Sequence, residues 1–194
     1  MLLVIAALAL LATVPLAGGQ LTRLADIRLR AVWAVLLAAA IQVAITQLAG
    51  GSHALHAALH VLSYVLDAYF VFANRRLTGV PLVAVGAGLN VLAITTNGGV
   101  MPANPVALRI AGIATRAGFD NSAALAHPHL AFLGDMIPVP GPWPIGNVLS
   151  AGDLIIFLGA FLILHCACRS RLVSPRRVSR ATISRDARGS TAGI

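Results

Sequence analysis

Five polar residues recur at helical spacing within an apolar stretch: His53, His56, His60, Ser63 and Asp67. Their separations of three, four, three and four residues put all five on one stripe of an α-helix. Imidazoles, a hydroxyl and a carboxylate in line are groups that pass a proton or hold an ion. The same groups also act as hydrogen-bonding glue between helices, at roughly 0.6 kcal/mol per bond in a membrane. Asp67 makes the strongest demand. A carboxylate at the centre of an apolar membrane helix costs about 2.5–3.5 kcal/mol on insertion scales, so the stripe must face a protein interior or a wet cavity. Gln42, Thr46 and Gln47 in the preceding apolar segment, and Asn90 in the following one, are the candidate partners.

Other constellations are weaker. His56 and His60, four apart, could chelate a metal from one helix face, with His53, His127 or His129 completing the set. No carboxylate or cysteine signature accompanies them, so no metal and no cofactor is assigned. A bis-histidine haem needs ligands on both sides of the iron, which one stripe does not supply. Cys166 and Cys168 form C-x-C beside His165, which is neither a redox C-x-x-C nor a four-ligand zinc set. Gly86-x-Gly88 lacks the rest of a nucleotide fingerprint and reads as a place of close helix contact. No Gly-x-Ser-x-Gly elbow or Ser/His/Asp order supports a hydrolase.

The elements that must carry these residues follow from composition. Of 194 residues 58% are hydrophobic and 10% charged, with mean hydropathy +0.87. Soluble domains carry about 25% charged residues. The sequence therefore predicts an all-α integral membrane helical bundle of about five transmembrane helices, over residues 1–17, 31–49, 54–73, 80–96 and 150–168. A long extracytoplasmic loop, 97–149, separates the last two. All 14 basic residues are Arg, and 12 of them lie after the first segment, after the third, or in the tail. Arginine-rich connections favour the cytoplasm, so a plasma-membrane protein with its N-terminus outside and its C-terminus inside is expected. The first segment has no basic n-region and reads as retained rather than cleaved. The tail, 169–194, reads as disordered and as a partner for anionic lipid. The +8 charge does not imply nucleic acid, because no aromatic or fold motif accompanies it.

Within the 97–149 segment, Asn104-Pro105 marks a helix start and Gly118 a stop, which predicts a helix over 105–117 with Arg109 and Arg116 on one face. Alternating prolines at 138, 140, 142 and 144 predict extended chain over 136–144, with Trp143 as an interfacial anchor. Ser150 and Asp153 carry a capping-box spacing at the start of the last segment.

A set of motifs then comes together: Gly18-Gly19-x-Leu21-x-x-Leu24-Ala25-Asp26-Ile27-Arg28-Leu29-Arg30; Asn97-Gly98-Gly99 with Met101-Pro102; Asn121-Ser122; Phe132-Leu133-Gly134-Asp135; and Asn147 with Ser150, Gly152 and Asp153. This set resembles the domain of unknown function 5317 family, small bacterial multi-pass membrane proteins. The resemblance implies a similar membrane fold and no established activity. Its candidate outer-loop motif is Asn97, Gly98, Gly99, Pro102, Asn121, Asp135, Asn147 and Asp153. The leading functional reading is a non-enzymatic protein whose outer loop binds a protein partner or lipid of the bilayer. The rival is a small transporter or proton/ion-conducting protein using the stripe. A third reading, an enzyme built on Asp135, Asp153 and His127, lacks anything that brings those residues together.

Overall fold

A computed structural model describes residues 2–47, 53–113, 122–141 and 146–173. Within them the chain forms α1 (Leu2–Leu16), α2 (Val32–Gln47), α3 (His53–Ala73) and α4 (Val80–Thr96). It continues through β1 (Met101–Pro102), α5 (Pro105–Ile110), β2 (Ser122–Ala123), β3 (Asp135–Val139) and β4 (Asn147–Ser150) to α6 (Ala151–Ala167). Single 3-10 turns lie at Leu21–Asp26 and Ala131–Leu133.

The five long apolar stretches are helices, but the expected membrane architecture is overturned. Among the described residues no helix is long and apolar enough to cross a membrane. Helices α1, α2, α4 and α6 have 15, 16, 17 and 17 residues. At 1.5 Å per residue they reach roughly 22–26 Å, against a hydrocarbon core of about 30 Å. Helix α3 has 21 residues, but its run includes His60, Ser63 and Asp67. The fold is not all-α either. It is mostly helical, with two small sheets built from the segment expected as a loop.

In that segment β1 pairs with β2 in parallel, Met101 opposite Ser122. β3 pairs with β4 antiparallel, from Val139 opposite Asn147 to Asp135 opposite Ser150, with an irregularity between Asp135 and Ile137. A bridge from Ala103 to Asp135 joins the two pairs. Strands of two to five residues leave too little alternation to be read in advance. Pro138 sits in a two-stranded ribbon, where a missing N–H is tolerated because one edge has no neighbour.

Helix α5 is shorter than the predicted 105–117. Asn104 caps its start, its side chain accepting from Val106 N at 2.8 Å and Ala107 N at 3.3 Å. The stop is Gly112 at φ +73°, with Ile113 N donating to Leu108 O and Gly112 N to Arg109 O. That pair of bonds is a Schellman closure, which needs a left-handed residue, and Gly112 supplies it six positions earlier than the expected stop. Arg116, Gly118, Asn121 and Trp143 lie outside the described residues, as does the tail from 174 onward.

Two helix pairs, α4 with α6 and α2 with α3, carry most of the interhelical packing. The α4–α6 pair is glycine-lined. A Cβ on Gly86 would stand 2.5 Å from the Gly152 carbonyl oxygen, and one on Gly159 would stand 2.8 Å from the Gly79 carbonyl oxygen. Gly79 and Gly86 are seven apart, as are Gly152 and Gly159, so the antiparallel backbones meet twice along one seam. Three small apolar cores follow. Val14, Leu164 and Cys168 lie between α1 and α6. Ala93 of α4 packs with Met101 of β1 and Leu133, and Ala107 and Ala111 at α5 pack with Val148 of β4. The segment after α4 is thus a structured cap with a core of its own.

Candidate functional site

The cap meets the helix pair at a polar knot. Ser150 ends β4 and is also the N-cap of α6. Its Oγ accepts from Asp153 N at 3.0 Å, and Asp153 Oδ2 accepts from Ser150 N at 2.9 Å, which completes the capping box. Asn90, reaching across from α4, donates to Asp153 Oδ1 at 2.8 Å and accepts from Ser150 Oγ at 2.9 Å. Ser150 is fully buried. The approach of Asn90 requires Gly152, because any Cβ there would overlap the Asn90 amide. The sequence offered Asn90 as a partner for the histidine stripe; the structure gives it to Asp153 instead.

A second tie closes the other side of the cap. Asn97 ends α4, followed by Gly98 and Gly99 at φ +69° and +93°. Its side-chain amide donates to His129 O and accepts from His129 N, both at 2.8 Å, as a neighbouring strand would. The same amide donates to Ala93 O at 2.7 Å. Asp135 is buried in β3, and its carbonyl accepts from Asn104 N at 2.9 Å. Pro102 is buried in β1, and Asn147 begins β4, where its Oδ1 accepts from Val148 N at 2.9 Å. His127 and His129 have exposed side chains.

The surface these ties hold in place is apolar. Phe132 is 69% exposed, Ile110 55% and Val106 50%, and Met136 and Ile137 are exposed within β3.

The stripe of α3 is only partly in view. The side chains of His53, His56 and Gln47 lie outside those described. Ser63 is fully buried, accepts from Gln42 Nε2 at 2.7 Å and donates to His60 O at 2.8 Å. His60 Nδ1 is buried without a partner among the described residues. Asp67 is half-buried, and burial pushes its carboxyl above the usual carboxylate range. Among the described residues no group of three His, Cys, Asp or Glu side chains is arranged to hold a metal.

Sequence reasoning passed over two clusters. Asn74, nearly buried at the end of α3, accepts from Arg30 N at 2.9 Å and donates to Arg30 O at 2.8 Å, which pins the 26–30 segment to the helix. His165 is fully buried in α6, its ring 4.1 Å from that of Phe161. Its Nε2 lies 2.9 Å from Thr13 Oγ1, and its Nδ1 lies 2.6 Å from Ser170 Oγ. Thr13 already donates its hydroxyl proton to Leu10 O. Its oxygen is then placed to accept from His165 Nε2–H, and in the neutral ring, which burial favours, Nδ1 is left to accept from Ser170. Burial lowers the His165 pKa in the same sense. The glycine seam did have a signal in the sequence: two pairs of glycines, each at a seven-residue interval.

The family described as "Family of unknown function (DUF5317)" matches residues 26–165. The chain is also similar to an uncharacterized protein of Thermotoga maritima, 35% identical over 101 residues. The match covers 52% of this chain and 59% of that protein. No solved structure matches.

Proposed function

We propose, for a chain that belongs to the DUF5317 family of unknown function, a non-enzymatic binding role in which the cap presents an apolar patch to a partner. One observation carries this reading. The cap is tied to α4 and α6 by Asn97 and by the Asn90–Ser150–Asp153 knot, while Phe132, Ile110 and Val106 on its outside stay uncovered. Side chains held out in this way lose little conformational entropy on binding. The polar clusters support a structural role rather than a reactive one. Both oxygens of Asp153 are occupied, and the histidine between two hydroxyls is sealed from solvent. The helices also leave Trp33, Leu36, Val61 and Phe72 about 60% exposed, which supports association with lipid of a bacterial membrane. A photo-crosslinking residue placed at Phe132 tests the cap reading in cells. The expected result is one discrete adduct, protein or lipid, that is lost when Ile110→Ser is added. Adducts no different from those formed at exposed Arg109 would overturn it.

A further inference from the structure

Away from the cap, a cleft of about 350 Å³ opens where the 3-10 turn, the start of α4 and the end of α6 meet. Its apolar floor is Ile27, Leu77, Ile163 and Ala167, and its polar groups are Arg23, Asp26, Arg28 and Thr78. Cys166 stands in its wall. Asn74 holds the Arg30 backbone, which ties the chain just after Asp26 and Arg28 to the end of α3. Arg23 gives its Nε to Gln20 Oε1 at 2.8 Å, which leaves the two terminal nitrogens of its guanidinium fork. Among the described residues Arg28 has no hydrogen-bond or ion-pair partner, although Asp26 lines the same cleft.

We propose that this cleft binds an organic phosphate: a phosphate ester whose oxygens meet Arg23, Arg28 and the Thr78 hydroxyl, and whose apolar substituent lies on Ile27, Leu77, Ile163 and Ala167. Guanidinium forks match phosphate oxygens two at a time, which a lone ammonium does not do. A purely inorganic anion leaves the apolar floor unused, and a purely apolar ligand leaves two arginines desolvated without a partner. Asp26 stands at the same site as an acceptor for a hydroxyl or ammonium next to the phosphate. The ester is either a lipid headgroup or a soluble metabolite; the chemistry of recognition is shared. The inference is independent of the cap reading, since none of these residues belongs to the cap.

Cys166 provides the readout. It lines the cleft, whereas Cys168 is 1% exposed and its thiol is pushed up by burial, so alkylation reports Cys166. The purified full chain is alkylated at fixed ionic strength with short-chain phosphatidic acid below its micelle concentration, with glycerol phosphate, or with sodium chloride alone. Slowing by either phosphate, relative to the rate in sodium chloride alone, supports the site. Slowing by phosphatidic acid alone assigns a lipid source, and slowing by both assigns soluble esters as well. Arg28→Gln, at an exposed side chain, is expected to weaken protection about tenfold, the effect of losing one charged hydrogen bond. Asp26→Asn, with one like charge fewer, is expected to strengthen it. Alkylation rates equal in all three solutions, or protection unchanged in Arg28→Gln, would overturn the proposal.

Discussion

At the scale of single residues, two kinds of polar burial are present. His165 is satisfied on both ring nitrogens, and a neutral imidazole suits its site between two hydroxyls. Its pKa is lowered in the folded chain by desolvation. The unfolded chain therefore binds more protons below the ordinary value of 6.5, and folding stability falls as pH drops from there toward the folded pKa. Above that value the contribution is complete. Thermal unfolding of the parent between pH 8 and pH 5 should show this loss, and His165→Gln should show a flatter profile. Equal slopes in the two proteins would mean that the imidazole is not the group responsible. His60, with Nδ1 unpartnered among the described residues, is the opposite case. Its stripe was visible as spacing, and of the partners the sequence offered one meets it and one does not. Gln42 reaches Ser63, and Asn90 belongs to another knot altogether.

At the scale of elements, the α4–α6 seam depends on backbone contact that no side chain can replace. Gly152 is buried against the Gly86 carbonyl and Asn90, whereas Gly88, also on α4, has open space where a Cβ would go. Gly152→Ala is expected to cost about 1–3 kcal/mol by overpacking, even though alanine favours a helix. Gly88→Ala should instead stabilise by roughly 0.5–1 kcal/mol, because it removes backbone entropy without a clash. Chemical denaturation of the two variants beside the parent measures both signs. A stabilised Gly152→Ala would show that the helices do not approach as described. The helix ends were partly legible. Asn97-Gly98-Gly99 announced the end of α4, and Ser150 with Asp153 the start of α6. The strands between them were not, because their register is fixed by partners far along the chain and by prolines that also fit an extended loop.

At the scale of the whole molecule, apolar area dominates the surface of the helices. Trp33 is 59% exposed, its ring 5.9 Å from that of Tyr69 and tilted by 44°, and Tyr69 is itself 50% exposed. Seven arginines of the described residues (23, 28, 30, 75, 76, 169 and 171) gather where the 3-10 turn, the end of α3 and the end of α6 meet. On the proposed association with lipid, the apolar flank would meet acyl chains and the basic end anionic headgroups. In a Trp143→Phe background, Trp33 is the remaining tryptophan. Its fluorescence should be quenched by vesicles carrying brominated acyl chains and anionic headgroups. Unquenched fluorescence in vesicle-bound protein would show that the α2–α3 flank is not the face that meets lipid.

Composition and apolar run length were enough to locate five helices, since both are properties of contiguous residues. Spacing was enough to place the stripe on one helix face, and cap chemistry to place Asn104 and Ser150 at helix starts. Length and hydropathy together overstated the case for membrane spans, because helix ends are set by caps and turns such as Gly18 and Gly98 as well as by where apolar residues stop. Only the tertiary structure decided that the 97–149 segment is a cap with paired strands, that Asn90 serves Asp153 rather than the stripe, and that Asn74 fixes the edge of a basic cleft. Each of these joins groups that are not neighbours in sequence, 44 residues apart for Asn74 and Arg30 and 63 for Asn90 and Asp153. Such contacts are chosen by the packing of whole helices, and no local pattern encodes them.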